Sequence, residues 1–504
     1  MSTALLQSES TALSDSPSIS KELSLVLDPY LSLTIQGDEI RIVDRTPGKA
    51  TRKSARSCCG VHATTNTSGQ DISIPFYNVL WTSADENCLT ITSADKVKKG
   101  VIPRTRTYTF DPVLQYTVKA FVSKLLEAVY GSAKSRKRLK VLVNPFGGQG
   151  LATKIFETQC HSIFNAAQCE LSIQTTTYSG EAVEIAERLD IDAFDAVVCC
   201  SGDGVPHEVF NGLAKRPDAA TALKKVAVCQ LPGGSGNAMA WNLTGSGNPS
   251  EVALAIVKSV RKPIDLISIT QGDRRILSFL SQSFGIIADC DLGTENLRWM
   301  GDLRFTYGLL SRIIKQTVYP CDLAVKVVID DKELIRTHYR QGGYPGQSAR
   351  EDVDNKNMAL PTLKFGTIND PLPVDWELVH HPIMGNFYAG NMAWVSANVN
   401  FFPASLPHDA MFDLICVDGT VGRMKALKMI TAAETGAHFE MPHVLYRKVV
   451  GYRIIPHRRD GIAEEYISID GERIPFEPFQ AEVHSGLGTV LAKGDGYTYH
   501  APGV

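Results

Sequence analysis

From residue 139 to residue 242, short apolar runs of strand type alternate with segments of helical pattern, and three of the runs end abruptly in glycine-rich turns. Leu139-Lys140-Val141-Leu142-Val143 leads into Asn144-Pro145-Phe146-Gly147-Gly148-Gln149-Gly150. Phe194 to Cys200 leads into Ser201-Gly202-Asp203-Gly204, and Val226 to Leu231 into Pro232-Gly233-Gly234-Ser235-Gly236-Asn237. Helical patterns are expected at about 151–167, 181–189, 207–214 and 235–242, with a further strand over 171–177. Strands that alternate with helices build a parallel sheet covered on both faces. Ligands of such sheets sit beyond the carboxyl ends of the strands. Each glycine-rich segment falls at such an end.

Glycine lets a backbone adopt positive φ and lie close to a ligand. Exposed N–H groups at a strand-to-helix turn attract phosphate. The first turn is not a Walker A loop, because Leu151-Ala152-Thr153-Lys154 follows Gly150 in place of Gly-Lys-Ser/Thr. It is not Gly-x-Gly-x-x-Gly either. Three such turns at one sheet edge make a deep site lined by N–H groups, which suits a polyphosphate. Asp203, held between two glycines, is unshielded and open to a substrate oxygen. The bland alternative is a turn aspartate bonded to its own backbone.

Residues 1–20 are rich in Ser and Thr and read as a disordered tail. Residues 21–130 carry short alternating runs and read as a β-rich regulatory or membrane-association module. Within it, Thr51-Arg52-Lys53-Ser54-Ala55-Arg56-Ser57 precedes Cys58 and Cys59. S-acylation beside a basic patch is one reading, and a strand with two packed thiols is the other. The nucleotide-binding α/β domain is expected over 138–262. A mainly antiparallel β-sandwich domain is expected over 263–504, with a mobile insertion at about 341–373. Strands are expected at 264–269, 276–284, 323–329, 385–388, 412–417, 450–455 and 466–469. The fold class is therefore α/β: a doubly wound parallel-sheet domain plus a β-rich domain, with the active site in the cleft between them.

A net charge of -3 over 504 residues gives no global basic field, so nucleic acid is not expected as a partner. The 11 cysteines are scattered through apolar runs, which fits reduced thiols in an intracellular protein. Neither a secretory signal nor an apolar run long enough to span a membrane is seen.

The order Asn-Pro-x-Gly-Gly-x-Gly, then Ser-Gly-Asp-Gly-x-x-x-Glu-x-x-Asn-Gly-Leu, then Leu-Pro-Gly-Gly-Ser-Gly-Asn-Ala resembles the catalytic domain of the diacylglycerol/sphingosine kinase family. Asp470-Gly471-Glu472 resembles that family's late Asp-Gly-Glu motif, and the likeness runs over about 138–320 and 378–500. It implies ATP and Mg²⁺, with Asp203 as general base for an acceptor hydroxyl. Asn144, Gly147, Gly148, Gly150, Thr176, Ser201, Gly202, Gly204, Gly233, Gly234, Ser235 and Asn237 would then line the nucleotide site. Glu208 either orients a nucleotide hydroxyl or pairs on the surface. Asp470 and Glu472, two apart, would share the face of a strand and hold Mg²⁺, with Gly471 between them; the alternative is a surface turn.

The stretch from Ser283 to Phe305, with Asp289-Cys290-Asp291 inside it, is similar to the sphingosine kinase subgroup. The resemblance implies that Asp291 recognises the ammonium of a sphingoid base, a charge-assisted contact that a diacylglycerol cannot offer. Arg298 and Arg304 align with arginines that reach the transferred phosphate. Phe305, Leu309 and Ile313 form one helical stripe that is either core or the lining of a lipid tunnel, with Arg312 and Lys315 facing anionic lipid. A lipid kinase acting on the primary hydroxyl of sphingosine, dihydrosphingosine or phytosphingosine follows. The alternatives are a ceramide or diacylglycerol kinase, an NAD kinase, and an inactive lipid-binding protein on the same fold. The expected partners are the sphingoid base, an anionic membrane surface engaged peripherally from the cytoplasm, and, optionally, a second copy in a homodimer.

Overall fold

A computed structural model describes residues 23–45, 71–294, 303–342 and 359–493, with the side chains of 303–306 excepted. The 1–20 tail, Cys58, Cys59, Arg298 and the side chains of Arg304 and Phe305 lie outside the described residues. The chain divides into two compact units, residues 1–93 with 104–131, and residues 94–103 with 132–504.

The first part of the chain is a four-stranded antiparallel meander, β1 (Leu23–Asp28), β2 (Leu31–Gln36), β3 (Glu39–Asp44) and β4 (Asp71–Pro75). Its inward residues alternate, as in Leu31 and Leu33 or Ile40 and Ile42. A second sheet follows, β5 (Val79–Ala84), β6 (Cys88–Val97) and β7 (Gly100–Thr109). Helix α1 (Gln115–Tyr130) buries Val118, Phe121, Val122, Leu125 and Val129, a stripe of helical period. The Tyr130 hydroxyl donates to the Leu80 carbonyl at 2.6 Å.

The second unit opens with four parallel strands, β8 (Arg138–Val143), β9 (Glu170–Thr175), β10 (Ala196–Ser201) and β11 (Ala227–Pro232), in the order β11-β10-β8-β9. Every residue of β10 and β11 is buried, as expected of strands covered on both faces. The segment after β8 is α2 (Ala152–Ile155), one π turn (Phe156–Cys160) and α3 (His161–Ala166), where a continuous helix was expected. Four helices follow in order: α4 (Glu181–Glu187), α5 (Gly204–Ala214), α6 (Ala219–Lys225) and α7 (Ala238–Thr244). Then comes α8 (Pro249–Lys258), which starts at Asn248, whose side chain accepts from the N–H groups of Ser250 and Glu251. Along β10, Val197 and Cys199 join the core of α4 and α5, while the Cys200 thiol lies 3.4 Å from the Ala152 carbonyl on the other face.

The antiparallel part comprises β12 (Val260–Gln271), β13 (Arg274–Ser278), β14 (Ser281–Gly285), β15 (Cys321–Ile329), β16 (Val379–His381), β17 (Met384–Gly390), the small hairpin β18 (Trp394–Ser396) and β19 (Val399–Asn400), and β20 (Phe412–Asp418). It ends with β21 (Leu445–Pro456), β22 (Ile467–Ile469), β23 (Glu472–Ile474) and β24 (Phe479–Ala492). Helices α9 (Ile286–Leu292), α10 (Leu303–Lys315), α11 (Lys332–Arg340) and α12 (Arg423–Ala433) interrupt it. The two halves are not separate at residue 262. Strand β24 runs parallel to β11 at Val228–Val490 and antiparallel to β12 and β21, so one 15-stranded sheet carries both halves.

One expectation is corrected here. The strand expected over 276–284 breaks between Ser278 and Ser281, because the N–H groups of Phe279, Leu280 and Ser281 all turn onto the Asp470 carboxylate. Within the insertion expected over 341–373, described residues make hydrogen bonds to the sheet. The N–H groups of Lys364 and Phe365 donate to Glu482 at 2.8 and 2.9 Å, and Arg453 donates to the carbonyls of Thr367 and Asp370.

Candidate active site

The three glycine turns meet backbone to backbone. A Cβ on Gly234 would lie 2.3 Å from both Cα and N of Gly202, and one on Gly148 would lie 3.0 Å from the Gly234 carbonyl carbon. Gly148 also has φ +57°, which L side chains rarely adopt. The Asn144 side chain accepts from the Phe146 N–H at 2.9 Å, tying the first turn to itself. The Asn237 side chain both accepts from the Gly234 N–H at 3.1 Å and donates to the Gly234 carbonyl at 2.9 Å, which braces the third turn. Thr176 is buried at the end of β9 and lines the cleft. Ser201 does not face it: its buried hydroxyl donates to the Gly202 carbonyl at 2.8 Å. Gly150 and Asn237 also lie outside the lining.

Asp203 occupies the N-terminal end of α5 but does not bond to its own turn. Its Oδ2 accepts from the Ala238 N–H at 2.9 Å, and its Oδ1 accepts from the Met239 N–H at 3.1 Å and Gln230 Nε2 at 3.2 Å. The second turn is thereby latched to the start of α7. Gln230 is itself oriented, because its Oε1 accepts from the Ala240 N–H at 2.9 Å. Burial pushes the Asp203 carboxyl above its ordinary pKa, and the three donors only partly oppose that.

Asp470 and Glu472 do not share a strand face, which corrects that expectation. Asp470 and Gly471 form a two-residue hairpin turn between β22 and β23 with φ +53° and +87°, the left-handed pair that Asp-Gly hairpins favour. The Asp470 side chain is fully buried and accepts from five donors: Ser278 Oγ, the N–H groups of Phe279, Leu280 and Ser281, and His207 Nδ1 at 2.8 Å. A carboxylate offers about four lone-pair sites, so none is left for a metal. Asp470 instead binds the hairpin to α5 and to the β13–β14 break. Glu472 is exposed, and its Oε1 would meet a Cβ on Gly204 at 2.7 Å. Glu208 is no surface pair. It accepts from the Gly180 and Ala182 N–H groups at 3.1 Å each, at the start of α4. Burial raises its pKa, those N–H groups oppose the rise, and the nearby Glu472 charge adds to it.

Residues of α9, α10, α12 and β17 line the rest of the cleft. Asp291 lines the cleft. Burial pushes the Tyr388 phenol up, and the charges of Asp291, Asp470 and Asp203 push it further. Tyr388 Oη lies 3.3 Å from Ser281 Oγ. Arg312 does not face a lipid surface. It pairs with Asp289 at 2.8 Å, which also accepts from the Tyr319 hydroxyl at 2.7 Å, and so joins α10 to α9. Leu309 and Ile313 line the cleft, with Ile287, Val399, Phe401 and Met429 on the facing walls.

All of this encloses one cleft of about 1790 Å³. Both the glycine turns and apolar side chains wall it, with Asp203, Asp291 and Tyr388 also in the lining. Among the described residues its lining includes Asp203, Glu208, Asp291, Asp418, Asp470 and Glu472 against a single cation, Arg312. Such an acidic site suits a polyphosphate that arrives with a divalent cation rather than a bare anion. Sequence reasoning had not singled out His207, Asn211, Gln230 or Tyr388. Asn211 lies inside the second motif and bonds both N–H and C=O of Leu277, at 2.8 and 2.9 Å. His207 was also in that motif, but its partner lies in the hairpin at residue 470.

Glycine turns and apolar walls in one cleft define a lipid kinase of the diacylglycerol-kinase type. Residues 138–269 match the diacylglycerol kinase catalytic domain family, and residues 23–131 match a domain of unknown function (DUF7493). The chain is 33% identical over 431 residues to sphingoid long chain base kinase 5 of Saccharomyces cerevisiae, covering 75% of this chain and 62% of that protein. It is 32% identical to sphingoid long chain base kinase 4 of Schizosaccharomyces pombe, covering 85% of this chain and 89% of that one. Sphingosine kinase 1 of Arabidopsis thaliana is 30% identical, with 76% and 81% covered. The chain belongs to the sphingoid long-chain base kinase family.

Proposed function

We propose that this protein transfers the γ-phosphate of ATP to the primary hydroxyl of a sphingoid long-chain base. The observation that carries this reading is that Asp203, Asp291 and Tyr388 line one cleft together with the glycine turns and a set of apolar side chains. The glycine turns receive the phosphates, and the apolar walls receive the hydrocarbon chain. Asp291 faces the ammonium carried next to the hydroxyl. Asp203, its basicity raised by burial, accepts the hydroxyl proton as that oxygen bonds to the γ-phosphorus and the bond to the ADP oxygen breaks.

Mg²⁺ fits the chemistry of the donor set: Glu472, with Glu208 beside it, would hold it, and it would screen the phosphate charge. Asp470 supports that shell only by fixing the hairpin that carries Glu472.

Peripheral association with an anionic membrane belongs to the same reading. Leu309 and Ile313 of α10, and Met429 of α12, face the cleft, while Tyr307, Leu310 and Ile314 with Met424 and Leu427 are exposed beside Lys315, Lys425 and Lys428. Among the described residues no helix is long and apolar enough to cross a membrane. Flotation with anionic liposomes tests this part, and no binding would remove it.

The deciding experiment is phosphate transfer from labelled ATP to sphingosine, dihydrosphingosine, phytosphingosine, ceramide and diacylglycerol. Label only in the free bases is expected. Label in ceramide or diacylglycerol instead would overturn the assigned acceptor.

A further inference from the structure

Away from the cleft, three side chains with metal-binding chemistry converge on the β16–β15–β21 edge of the sheet. Asp322 is the second residue of β15, and its register partners are His380 on β16 and Ile455 near the end of β21. His457 follows β21 directly, and its N–H donates to the Pro320 carbonyl at 2.9 Å, which prolongs that strand pairing by one step. The two imidazoles address the two oxygens of one carboxylate. His380 Nδ1 lies 2.7 Å from Asp322 Oδ1, and His457 Nε2 lies 3.0 Å from Asp322 Oδ2. The rings stack on one another with centroids 5.4 Å apart and planes 29° apart. The three ligand atoms all lie within 4.8 Å of each other. His380 is exposed and the other two are half-buried, so an ion from solvent has a path in. None of the three lines the cleft.

We infer that Asp322, His380 and His457 form a binding site for a borderline divalent transition ion, of which Zn²⁺ is the type. Two neutral imidazoles and one carboxylate are a donor set for Zn²⁺, Co²⁺, Ni²⁺ or Cu²⁺, whereas Mg²⁺ takes oxygen. Three protein ligands leave room for water in the remaining position. The strand pairing fixes the Cα positions of Asp322 and His380, so the ligands start close together and the ion has only side chains to adjust. Its mechanical effect follows from the topology. The ion ties the short edge strand β16 to β15 and to the end of β21. β16 leads directly into β17, which carries Gly385, Asn386 and Tyr388 of the cleft wall. The metal thus acts as a clasp on the sheet edge behind that cleft wall, apart from the cation that accompanies the nucleotide.

The test uses the untagged full chain after chelator treatment, titrated with Zn²⁺ in competition with a chromogenic chelator, and with Co²⁺ as a spectroscopic probe. One equivalent is expected to bind, with a visible Co²⁺ spectrum and a rise in melting temperature on adding Zn²⁺. In the His380→Ala/His457→Ala double variant the affinity falls by at least about 100-fold, because ligand loss exceeds the cost of losing an outer partner. That variant melts where the metal-free parent melts, which separates lost ligation from lost folding. The proposal is overturned if the parent takes up no stoichiometric ion in competition. It is also overturned if the double variant binds as tightly as the parent, which would place the ion on cysteines or other histidines.

Discussion

Asp203→Asn separates the latch that the structure shows for this carboxylate from the base role proposed for it. As an acceptor, Asp203 takes two donors on Oδ1 and one on Oδ2. Asparagine offers one acceptor oxygen, so its cheapest orientation keeps the Oδ1 pair and sets its NH₂ against the Ala238 N–H. Gln230 cannot turn over to compensate, since its Oε1 already holds the Ala240 N–H. One charge-assisted bond is lost, worth about 1.5–3 kcal/mol, and removing a partly unfavourable buried charge returns some of it. The expected cost to the fold is therefore a drop of a few degrees in melting. In the proposed base role, the same residue would contribute about 10²–10⁴-fold to turnover. The two effects are read separately, by differential scanning fluorimetry and by kcat for label transfer at saturating ATP. Gln230→Met serves as the control, because it weakens the same latch and leaves the carboxylate in place. That control is expected to melt lower and keep most of its kcat. In the parent, the acid limb of kcat/KM lies above the ordinary aspartate pKa, since burial raises the group. An Asp203→Asn enzyme with kcat within about tenfold of the parent would refute the base role and leave Asp203 as a latch alone.

Other perturbations test the remaining parts of the site. Asp291→Asn would remove the proposed charge-assisted contact, worth about 1.5–3 kcal/mol, so KM for a sphingoid base is expected to rise about 10- to 150-fold while nucleotide affinity holds, measured by steady-state kinetics and calorimetry. Gly234→Ala forces a methyl to 2.3 Å from the Gly202 backbone, and is expected to cost at least about 1–3 kcal/mol and to abolish nucleotide binding by calorimetry. Burial pushes His207 down, but its bond to Asp470 and the charges of Glu472 and Glu208 leave it above the ordinary value of 6.5. A group raised on folding stabilises most below its unfolded pKa. The melting difference between the parent and His207→Gln should therefore be full below pH 6.5 and shrink as pH rises through the raised value. A difference that grows with pH would contradict the pairing.

What could be read in the sequence is what local pattern encodes. Three of the parallel strands, β8, β10 and β11, and their glycine turns were visible because each is a largely buried apolar run followed by a turn, whereas β9 has no fully buried residue. Helix α8 was equally available, since Asn248-Pro249 is a capping residue followed by proline at the first helical position, yet it went unread. The long-range partners were a different matter. Asp470 was recognisable as part of a motif, but its donors come from residues 278–281 and from His207, which no spacing rule links to a late hairpin. Arg312 read as a lipid-facing cation because helical period says which face a residue is on, not which carboxylate waits there. Asp289 lies on another helix, and only the packing of α9 on α10 brings it within 2.8 Å.

Strand β24 has a consequence for how the molecule is made. It comes last among the described strands, yet it lies between β11 and β21 in the middle of the sheet. As the chain leaves the ribosome, the nucleotide half can assemble its four parallel strands early, but β11 then presents an unpaired edge along its length. That edge has no strand partner until residues 479–492 emerge, which meet it at Val228–Val490. Exposed parallel edges aggregate, and pairings this distant in sequence form slowly. A nascent chain stalled before β24 would thus hold a nearly complete phosphate cradle on a sticky, half-built sheet. Shielding of that edge by a chaperone, or rapid completion of the last segment, would therefore raise the yield of folded enzyme.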